Sequence, residues 1–335
     1  MADRMPDPMD GLDAAERQLV RPSVRPGWRE PMLATLTKER FSDDRWIFER
    51  KLDGVRVLAV GGRGAISLWS RNHKDMTRTY PELVAEFEAQ GVDSFVADGE
   101  IVAFDGRQTS FARLQARINL ADPRRIAATG VDVYVYLFDL LVFGAADLTR
   151  LPLRARKRVL RKVFEFGGRL RYSTHRNTDG EAFYQQACAR GWEGLIAKRA
   201  DSRYQSGRSR DWLKFKCVRD QELVVGGFTD PAGSRQGFGA LLVGYYDGRR
   251  LRYAGKVGTG YNDLLLRDLR ARLDGLEQDA SPFDERVREA GAHWVRPRLV
   301  AEIGFTEWTT DGKLRHPRFV GLRTDKDPQD VVREQ

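Results

Sequence analysis

The stretch Glu49-Arg50-Lys51-Leu52-Asp53-Gly54-Val55-Arg56 is the most informative part of this 335-residue sequence. It places Lys51 between two carboxylates, and an arginine follows five residues later. A free lysine has a pKa of about 10.4, so a nucleophilic lysine needs desolvation or nearby cations to lower that pKa. Taken alone, the octapeptide fits a second interpretation better: a solvated lysine at a strand end, followed by an ordinary Asp-Gly turn.

Further motifs follow the octapeptide in order along the chain. They are Asp98-Gly99-Glu100, Tyr136-Leu137-Phe138-Asp139, Glu193-Gly194-Leu195-Ile196-Ala197-Lys198, Trp212-Leu213-Lys214-Phe215-Lys216 and Arg323-Thr324-Asp325-Lys326. In the fourth of these, Lys214 and Lys216 alternate with apolar residues, so both amines are expected on one face of a strand. Two cations on one face favour the binding of a phosphate and would help to lower the pKa of Lys51.

This ordered set resembles the motifs of the covalent nucleotidyltransferases, and most closely those of ATP-dependent DNA ligases. The similarity runs from about residue 31 to the C-terminus. Residues 31–36, 225–228 and 253–260 are most similar to the ligase module of bacterial end-joining ligases. The resemblance implies an enzyme that seals breaks between 3′-hydroxyl and 5′-phosphate ends of DNA through a lysyl-AMP intermediate, in DNA repair.

The resemblance also assigns roles to residues of this chain. The catalytic set is Lys51 as the nucleophile, Asp53, Lys216, Asp325 and Lys326. The set that binds ATP or AMP is Glu49, Lys51, Arg56, Arg71, Glu100, Phe138, Ile196, Arg208, Lys214 and Lys216. In this scheme Glu49 accepts a hydrogen bond from the adenine amino group, Arg56 holds the ribose and Phe138 stacks on the base. Without the resemblance, Phe138 would be interpreted as a core aromatic residue and Arg71 as a surface arginine, and the neighbouring Arg203 and Arg210 compete with Arg208 for its role.

The cofactors implied are ATP and a divalent cation, either Mg²⁺ or Mn²⁺. The metal is assigned to Glu100 and Glu193, and Asp139 is expected to orient its loop or touch the metal. One or two carboxylates together with substrate phosphates and water are a typical supply of ligands for Mg²⁺. Only Cys188 and Cys217 are present, too few for a disulfide framework or a four-cysteine zinc site, which disfavours an NAD-dependent ligase.

The length and the pattern of apolar residues predict an α+β protein with two domains. We expect a flexible tail over residues 1–28, an adenylation domain with antiparallel sheets and helices over 29–219, and a small all-β OB-fold domain over 220–335. Strands are predicted at 55–60, 65–69, 95–104, 133–142, 222–228, 240–246, 251–257 and 299–306. Helices are predicted at 82–90, 154–165, 181–190 and 261–276.

Composition narrows the partners and the compartment. A formal net charge of +9 favours an acidic partner, here DNA. The apolar stretch 131–143 is broken by two aspartates, so no membrane span is predicted. We expect the protein in the bacterial cytosol or nucleoid. We also expect it to be a monomer. The fused polymerase and phosphoesterase modules of end-joining ligases do not occur in this sequence. We therefore expect a minimal two-domain form that is helped by a Ku-like end-binding protein.

Three alternatives remain open at this point. An RNA ligase or a GTP-using capping enzyme would share the nucleophile motif, although the C-terminal similarity speaks against both. An inactive DNA-binding scaffold could retain the fold, but it would have no need of Lys51.

Overall fold

The structure of the protein, a computed structural model, describes residues 7–23, 25–217, 219–231 and 236–334, with only the backbone of Pro8 and Arg219. The chain divides into two compact units, residues 1–217 and 218–335. The units meet two residues before the boundary that we expected, and Val218 itself lies outside the described residues.

The first unit is built from short strands and helices. Its strands are β1 (Arg21–Pro22), β2 (Met32–Leu36), β3 (Trp46–Arg50), β4 (Val55–Gly62), β5 (Ala65–Ser70), β6 (Phe95–Asp105), β7 (Gln108–Thr109), β8 (Val133–Phe143), β9 (Ala146–Asp147), β10 (Leu170–Tyr172), β11 (His175–Asn177), β12 (Gly194–Arg199) and β13 (Gly207–Lys216). Its helices are α1 (Ala14–Leu19), α2 (Pro81–Glu88), α3 (Phe111–Leu114), α4 (Pro123–Ala128), α5 (Leu153–Val163) and α6 (Gly180–Ala189), with 3₁₀ turns at Pro8–Gly11 and Thr77–Thr79.

Two sheets form the framework of this unit. The larger has the order β1-β9-β8-β6-β4-β5, with β10 added to β8 and β7 added to β6. The smaller has the order β11-β3-β12-β13-β2. Most neighbours are antiparallel, and β10–β8 and β13–β2 are the parallel pairs among the described strands. The larger sheet buries one face against helices, in a core that includes Val57, Val135, Phe87 and Leu160.

A second core packs the two sheets against each other. It joins Leu58 and Phe138 of the larger sheet to Met32 and Trp212 of the smaller one. The opposite face of the smaller sheet buries Phe48 and other apolar residues against α6. The inner face of the smaller sheet, which looks toward this second core, is where most of the motif residues lie.

The predicted flexible tail is wrong for the part of it that the structure describes. Helix α1 begins with a capping box in which Asp13 and Glu16 satisfy each other's backbone N–H groups. Leu12 is buried in the main core, and Arg158 of α5 donates to both carboxylate oxygens of Glu16 at 2.7 and 2.6 Å. Strand β1 pairs with β9. Residues 1–6 and Val24 of the predicted tail lie outside the described residues.

The second unit consists mainly of strands, and one long helix packs against them. Its elements are β14 (Arg219–Thr229), β15 (Leu241–Asp247), β16 (Arg250–Val257), α7 (Asp263–Asp274), β17 (Glu277–Gln278), β18 (Ala292–Phe305), β19 (Glu307–Trp308), β20 (Leu314–Arg315), β21 (Arg318–Leu322) and a 3₁₀ turn at Pro328–Asp330. The sheet order is β16-β15-β14-β18-β17 with β21 added to β18, and β19 pairs with β20. The predicted helix buries Leu266, Leu269 and Leu273 against this sheet.

Two features concern the chain's environment. Cys188 at the end of α6 and Cys217 after β13 form a disulfide across 29 residues of sequence, which the cysteine count did not lead us to expect. Among the described residues, no helix combines the length and the apolar character needed to cross a membrane.

Candidate active site

Strand register brings the sequence motifs together on the smaller sheet. Glu49 of β3 lies opposite Ile196 of β12, and Ile196 lies opposite Lys214 of β13. Residues directly opposite each other in an antiparallel pair project from the same face of the sheet. The backbone N–H of Lys51 donates to Gly194 O at 2.9 Å, and Gly194 lies opposite Lys216. Three separate motifs therefore share one face through the hydrogen-bonded ladder.

Lys51 contacts Glu193 at the edge of this face. The ammonium nitrogen of Lys51 donates to Glu193 Oε1, and the two side chains are 18% and 11% exposed. Gly194 follows at a φ of 148°, and a Cβ there would lie 1.9 Å from Phe215 O. Only glycine fits such a position, so the glycine of this motif allows the strand that carries Glu193 to approach its neighbour closely.

The Asp-Gly pair after Lys51 fixes the chain around the lysine. Asp53 Oδ2 accepts the backbone N–H of Phe111 at 3.0 Å, and the N–H of Asp53 donates to Thr109 Oγ1 at 3.1 Å. A Cβ on Gly54 would lie 2.2 Å from Ile101 O. Asp53, which we expected to be catalytic, thus holds the loop 109–111 against the nucleophile strand.

Glu49 lies in a buried network of charges. Its Oε1 accepts Lys157 Nζ at 2.5 Å, while its Oε2 accepts Lys198 Nζ at 2.8 Å and Ser173 Oγ at 3.1 Å. Burial alone would raise the pKa of Glu49, but the two lysines hold that pKa below its usual value. Burial lowers the pKa of Lys198 to about 8. One carboxylate thus neutralises two cations inside the protein.

An aromatic and cationic cluster lies beside this network. Lys198 Nζ is 4.0 Å from the ring centroid of Phe138 and 4.2 Å from that of Trp212. The guanidinium of Arg56 is 4.7 Å from the Phe138 centroid, and it also forms a bidentate pair with Asp98 at 2.5 and 2.6 Å. Phe138, only 8% exposed, is therefore a core aromatic residue whose ring two cations contact.

The remaining predicted binding residues lie on several strands of the first unit. Glu100 of β6 lies opposite Arg56 of β4, and Arg71 follows directly after β5. The exposed Arg208 donates to Ala34 O at 3.1 Å. Asp139 is fully buried and forms a bidentate pair with Arg156 at 2.7 and 2.8 Å, so it orients the chain and is not exposed to a metal.

Asp325 and Lys326 lie in the second unit, in an ion-pair network of their own. Arg323 donates to both oxygens of Asp325 at 3.0 and 2.9 Å and to Glu302 at 3.2 Å. Lys326 Nζ lies 3.1 Å from Glu222 Oε1. Burial alone would raise the pKa of Asp325, but Arg323 and Lys326 hold that pKa below its usual value.

The sequence did not reveal the partners of the predicted residues. Lys157 was one cation among many in a basic helix, and Ser173 carried no pattern at all. Asp98 and Lys198 stood in motifs that we had recognised, but their spacing gave no sign of their roles. Tyr204, whose hydroxyl donates to Asp98 Oδ2 at 2.5 Å, lies 106 residues away in the chain. Such long-range pairs become visible only when the fold is known.

Comparison with known proteins identifies the family. The model of the ATP dependent DNA ligase domain matches residues 31–216, and that of the ATP dependent DNA ligase C terminal region matches residues 234–326. The chain is 37% identical over 319 residues to the multifunctional non-homologous end joining protein LigD of Pseudomonas aeruginosa, an alignment that covers 92% of this chain and 37% of that protein. It is 38% identical over 313 residues to the multifunctional non-homologous end joining DNA repair protein LigD of Mycobacterium tuberculosis, covering 91% of this chain and 40% of that protein.

A solved structure gives the same assignment. The mycobacterial DNA ligase D complexed with ATP and MES matches with a TM-score of 0.64 and 36% identity, over 91% of this chain and 98% of that chain. The present chain spans about two fifths of the length of the two curated relatives named above. The predicted α+β class with a C-terminal OB fold is confirmed, and the RNA ligase, capping-enzyme and scaffold alternatives are not favoured. The chain belongs to the family of ATP-dependent DNA ligases.

Proposed function

We propose that this chain joins DNA ends in three phosphoryl transfers that pass through a lysyl-AMP intermediate. The observation that carries the proposal is the contact between Lys51 and Glu193 on a sheet face that also bears Lys214 and Lys216. A nucleophile, a carboxylate and two cations in one place suit a reaction that depends on positioning and charge stabilisation.

In the first transfer, Lys51 attacks as the neutral amine after losing a proton to water. A bond forms between Lys51 Nζ and the α-phosphorus of ATP, the bond to the bridging oxygen breaks, and pyrophosphate leaves. Glu193 orients the amine, while Lys214 and Lys216 stabilise the charge on the α-phosphate. The AMP then passes to a 5′-phosphate of DNA, and a 3′-hydroxyl displaces it to form the phosphodiester.

The proposed site of the nucleoside lies between the two sheets, beside Glu49 and Phe138. An ionised carboxylate offers about four acceptor positions, of which Glu49 uses three for Lys157, Lys198 and Ser173. The remaining position can accept the adenine amino group. Phe138 offers a ring for the base, and Arg56 and Glu100 lie together where the ribose would be held.

Glu193 and Glu100 are the proposed ligands of a divalent cation. The carboxylates suit these ions, because Mg²⁺ and Mn²⁺ both accept carboxylate oxygens. Glu193 also contacts Lys51, the proposed nucleophile. When bound, the cation neutralises charge on the phosphate oxygens. Asp325 and Lys326 are proposed to act in the first transfer by orienting the pyrophosphate.

We infer that the DNA substrate is a broken duplex and that a Ku-like end-binding protein assists the enzyme in the bacterial cytosol or nucleoid. The support is the similarity to two relatives whose names describe non-homologous end joining. The positive charge of the chain favours binding to a phosphate backbone.

One gel tests the proposal. The protein is incubated with α-labelled ATP or α-labelled GTP, and the labelled protein is then given nicked DNA. We expect label from ATP only, its transfer to the DNA 5′-phosphate and sealing of the nick, all blocked by excess EDTA before the ATP is added. Labelling by GTP, or labelled protein that transfers nothing to a nick, would contradict the proposal.

A further inference from the structure

A cavity lies on the exposed end of the larger sheet, outside the proposed nucleoside site. It has a volume of about 440 Å³ and is lined by Phe104, Tyr134, Tyr136, Arg113 and Arg171, with Asp132 at its rim. Cavities of this size accommodate small ligands. The cavity belongs entirely to the first unit.

Three aromatic rings form the floor of this aromatic cleft. The rings of Phe104 and Tyr134 pack edge to face with centroids 5.5 Å apart, and Tyr136 lies 6.4 Å from Phe104. All three side chains are half-buried, in contrast to the fully buried Val133 and Val135 on the opposite face of the sheet. Exposed aromatic rings on a sheet are a typical platform for nucleobases, because every base has a face that can stack.

The charges around the rings favour an anion. Arg171 lies over the ring of Tyr134 at 5.7 Å, and among the described residues neither Arg171 nor Arg113 forms a salt bridge. The acidic residue of the cleft, Asp132, is neutralised by Arg169 Nη2 at 2.8 Å. Two cations thus remain available beside three rings, which is the combination that a nucleotide requires.

The aromatic cleft lies next to residues that we propose to bind the nucleotide in the joining reaction. Tyr136 lies opposite Glu100 on the β6–β8 ladder, and Glu100 lies opposite Arg56. The aromatic cleft therefore continues the sheet face that carries two proposed nucleotide-binding residues. Neighbouring strands are about 4.8 Å apart, and β6 lies between the strands of Arg56 and Tyr136, so two spacings put these residues about 10 Å apart.

We propose that the aromatic cleft binds an unpaired nucleotide of a single-stranded DNA overhang next to the break, with its base on the rings and its phosphate on Arg171. The inference rests on the proposed DNA-joining function and adds a class of substrate to it. A base inside a duplex has both faces covered by its neighbours, whereas a base in an overhang is free to stack on protein rings. The cleft thus favours ends with overhangs over blunt ends.

The test measures the binding of full-length protein to a duplex with a thymidine overhang and to the same duplex with an abasic overhang. Tyr134→Leu keeps an apolar side chain but removes the ring, and Tyr134→Phe restores the ring. We expect Tyr134→Leu to bind the thymidine overhang roughly 10-fold more weakly than the wild type, since stacking contributes about 1–3 kcal/mol per base. Tyr134→Phe should bind like the wild type, and all three proteins should bind the abasic overhang equally.

Arg171→Gln tests the phosphate contact, with the exposed Arg63→Gln as a control that makes the same change in charge. Arg171→Gln should weaken binding to both overhangs and reduce the slope of log affinity against log salt by about 0.7. Arg63→Gln should change neither. If Tyr134→Leu still prefers the thymidine overhang as strongly as the wild type does, the proposal is wrong.

Two further readouts separate the possible failures. Self-adenylation of each variant reports whether the fold and the ATP site are intact, and sealing of a plain nick by the wild type tests the proposed function alone. A wild type that seals nicks while Tyr134→Leu binds overhangs normally would overturn only the aromatic cleft. Free thymidine monophosphate should compete poorly; if it displaces the overhang as well as a matching oligonucleotide does, the cleft is a mononucleotide site and the strand proposal fails.

Discussion

At the scale of single residues, charge neutralisation inside the first unit explains much of the site. Glu49, Lys157 and Lys198 are each about 2% exposed, and both lysines pair with the one carboxylate of Glu49. Removing one partner of a buried ion pair leaves an uncompensated charge, which costs far more than an exposed pair contributes. The sequence identified Glu49 from its motif, but its two lysine partners come from different elements and could not be identified by spacing.

Glu49→Gln should therefore destabilise the protein strongly. The amide cannot neutralise two buried lysines, so we expect the free energy of unfolding to fall by about 3 kcal/mol. Urea denaturation followed by circular dichroism measures this loss. Glu88→Gln, at an exposed position on α2, is the matched control and should change stability by less than about 0.5 kcal/mol. Equal stability of the two variants would show that the Glu49 network is not a structural requirement.

His175 should make stability depend on pH. Burial, assisted by the charge of Lys157, lowers the pKa of His175 to about 4, and Glu49 opposes the effect while Lys198 and Arg154 add to it. The unfolded chain, with an ordinary histidine pKa of about 6.5, binds the proton more readily. The stability contributed by the neutral ring is therefore complete above pH 6.5 and is lost as the pH falls toward 4.

Urea midpoints for wild type and His175→Gln at intervals from pH 7 to pH 4 test this dependence. The wild type should lose more stability than the variant within this window. His316→Gln, which changes an exposed histidine, should follow the wild type. Parallel curves for wild type and His175→Gln would refute the assignment.

At the scale of elements, apolar periodicity predicted most of the fold. The hairpin of β4 and β5, the long strands β6 and β8, and helices α2, α5, α6 and α7 are confirmed within a few residues. The pattern failed for residues 8–22, because α1 has no buried residue of its own. That segment is held by Leu12, by the capping box and by a salt bridge to α5, none of which is visible as an apolar period.

The disulfide between Cys188 and Cys217 should stabilise the first unit. It closes a loop over 29 residues, for which chain-entropy arguments give about 3.6 kcal/mol. We expect reduction with dithiothreitol to lower the urea midpoint of the wild type and to leave Cys188→Ser unchanged. Such bonds are uncommon in reducing compartments. Two titratable thiols in the native protein, isolated without reductant, would show that the bond does not form.

At the scale of the whole molecule, the residues proposed to act in the reaction lie in two compact units. The first unit contains Lys51, Glu193 and the Glu49 network, whereas the second contains Asp325 and Lys326. The order of the motifs along the chain predicted which of these residues lie in which unit. Asp325 pairs with Arg323, and Lys326 pairs with Glu222. These partners could be identified only from the packing of β14, β18 and the segment after β21.

Lys326→Ala should separate the steps of the reaction. If Lys326 orients the leaving pyrophosphate, the variant should lose self-adenylation by at least roughly tenfold and seal a pre-adenylated nick almost normally. Lys256→Ala is the control, because Lys256 also lies in the second unit and pairs with one carboxylate, Glu289, at 2.9 Å. Equal losses in both assays would show that Lys326 does not act specifically in the first transfer.

The central claim is that Lys51 carries the AMP. Protein incubated with ATP and Mg²⁺ can be digested and analysed by mass spectrometry, with Lys51→Ala treated in parallel. The claim predicts AMP on Lys51 in the wild type, its disappearance when nicked DNA is added, and no AMP on any residue of Lys51→Ala, whose circular dichroism spectrum should match that of the wild type. AMP attached to another residue, or attached to Lys51→Ala, would contradict it.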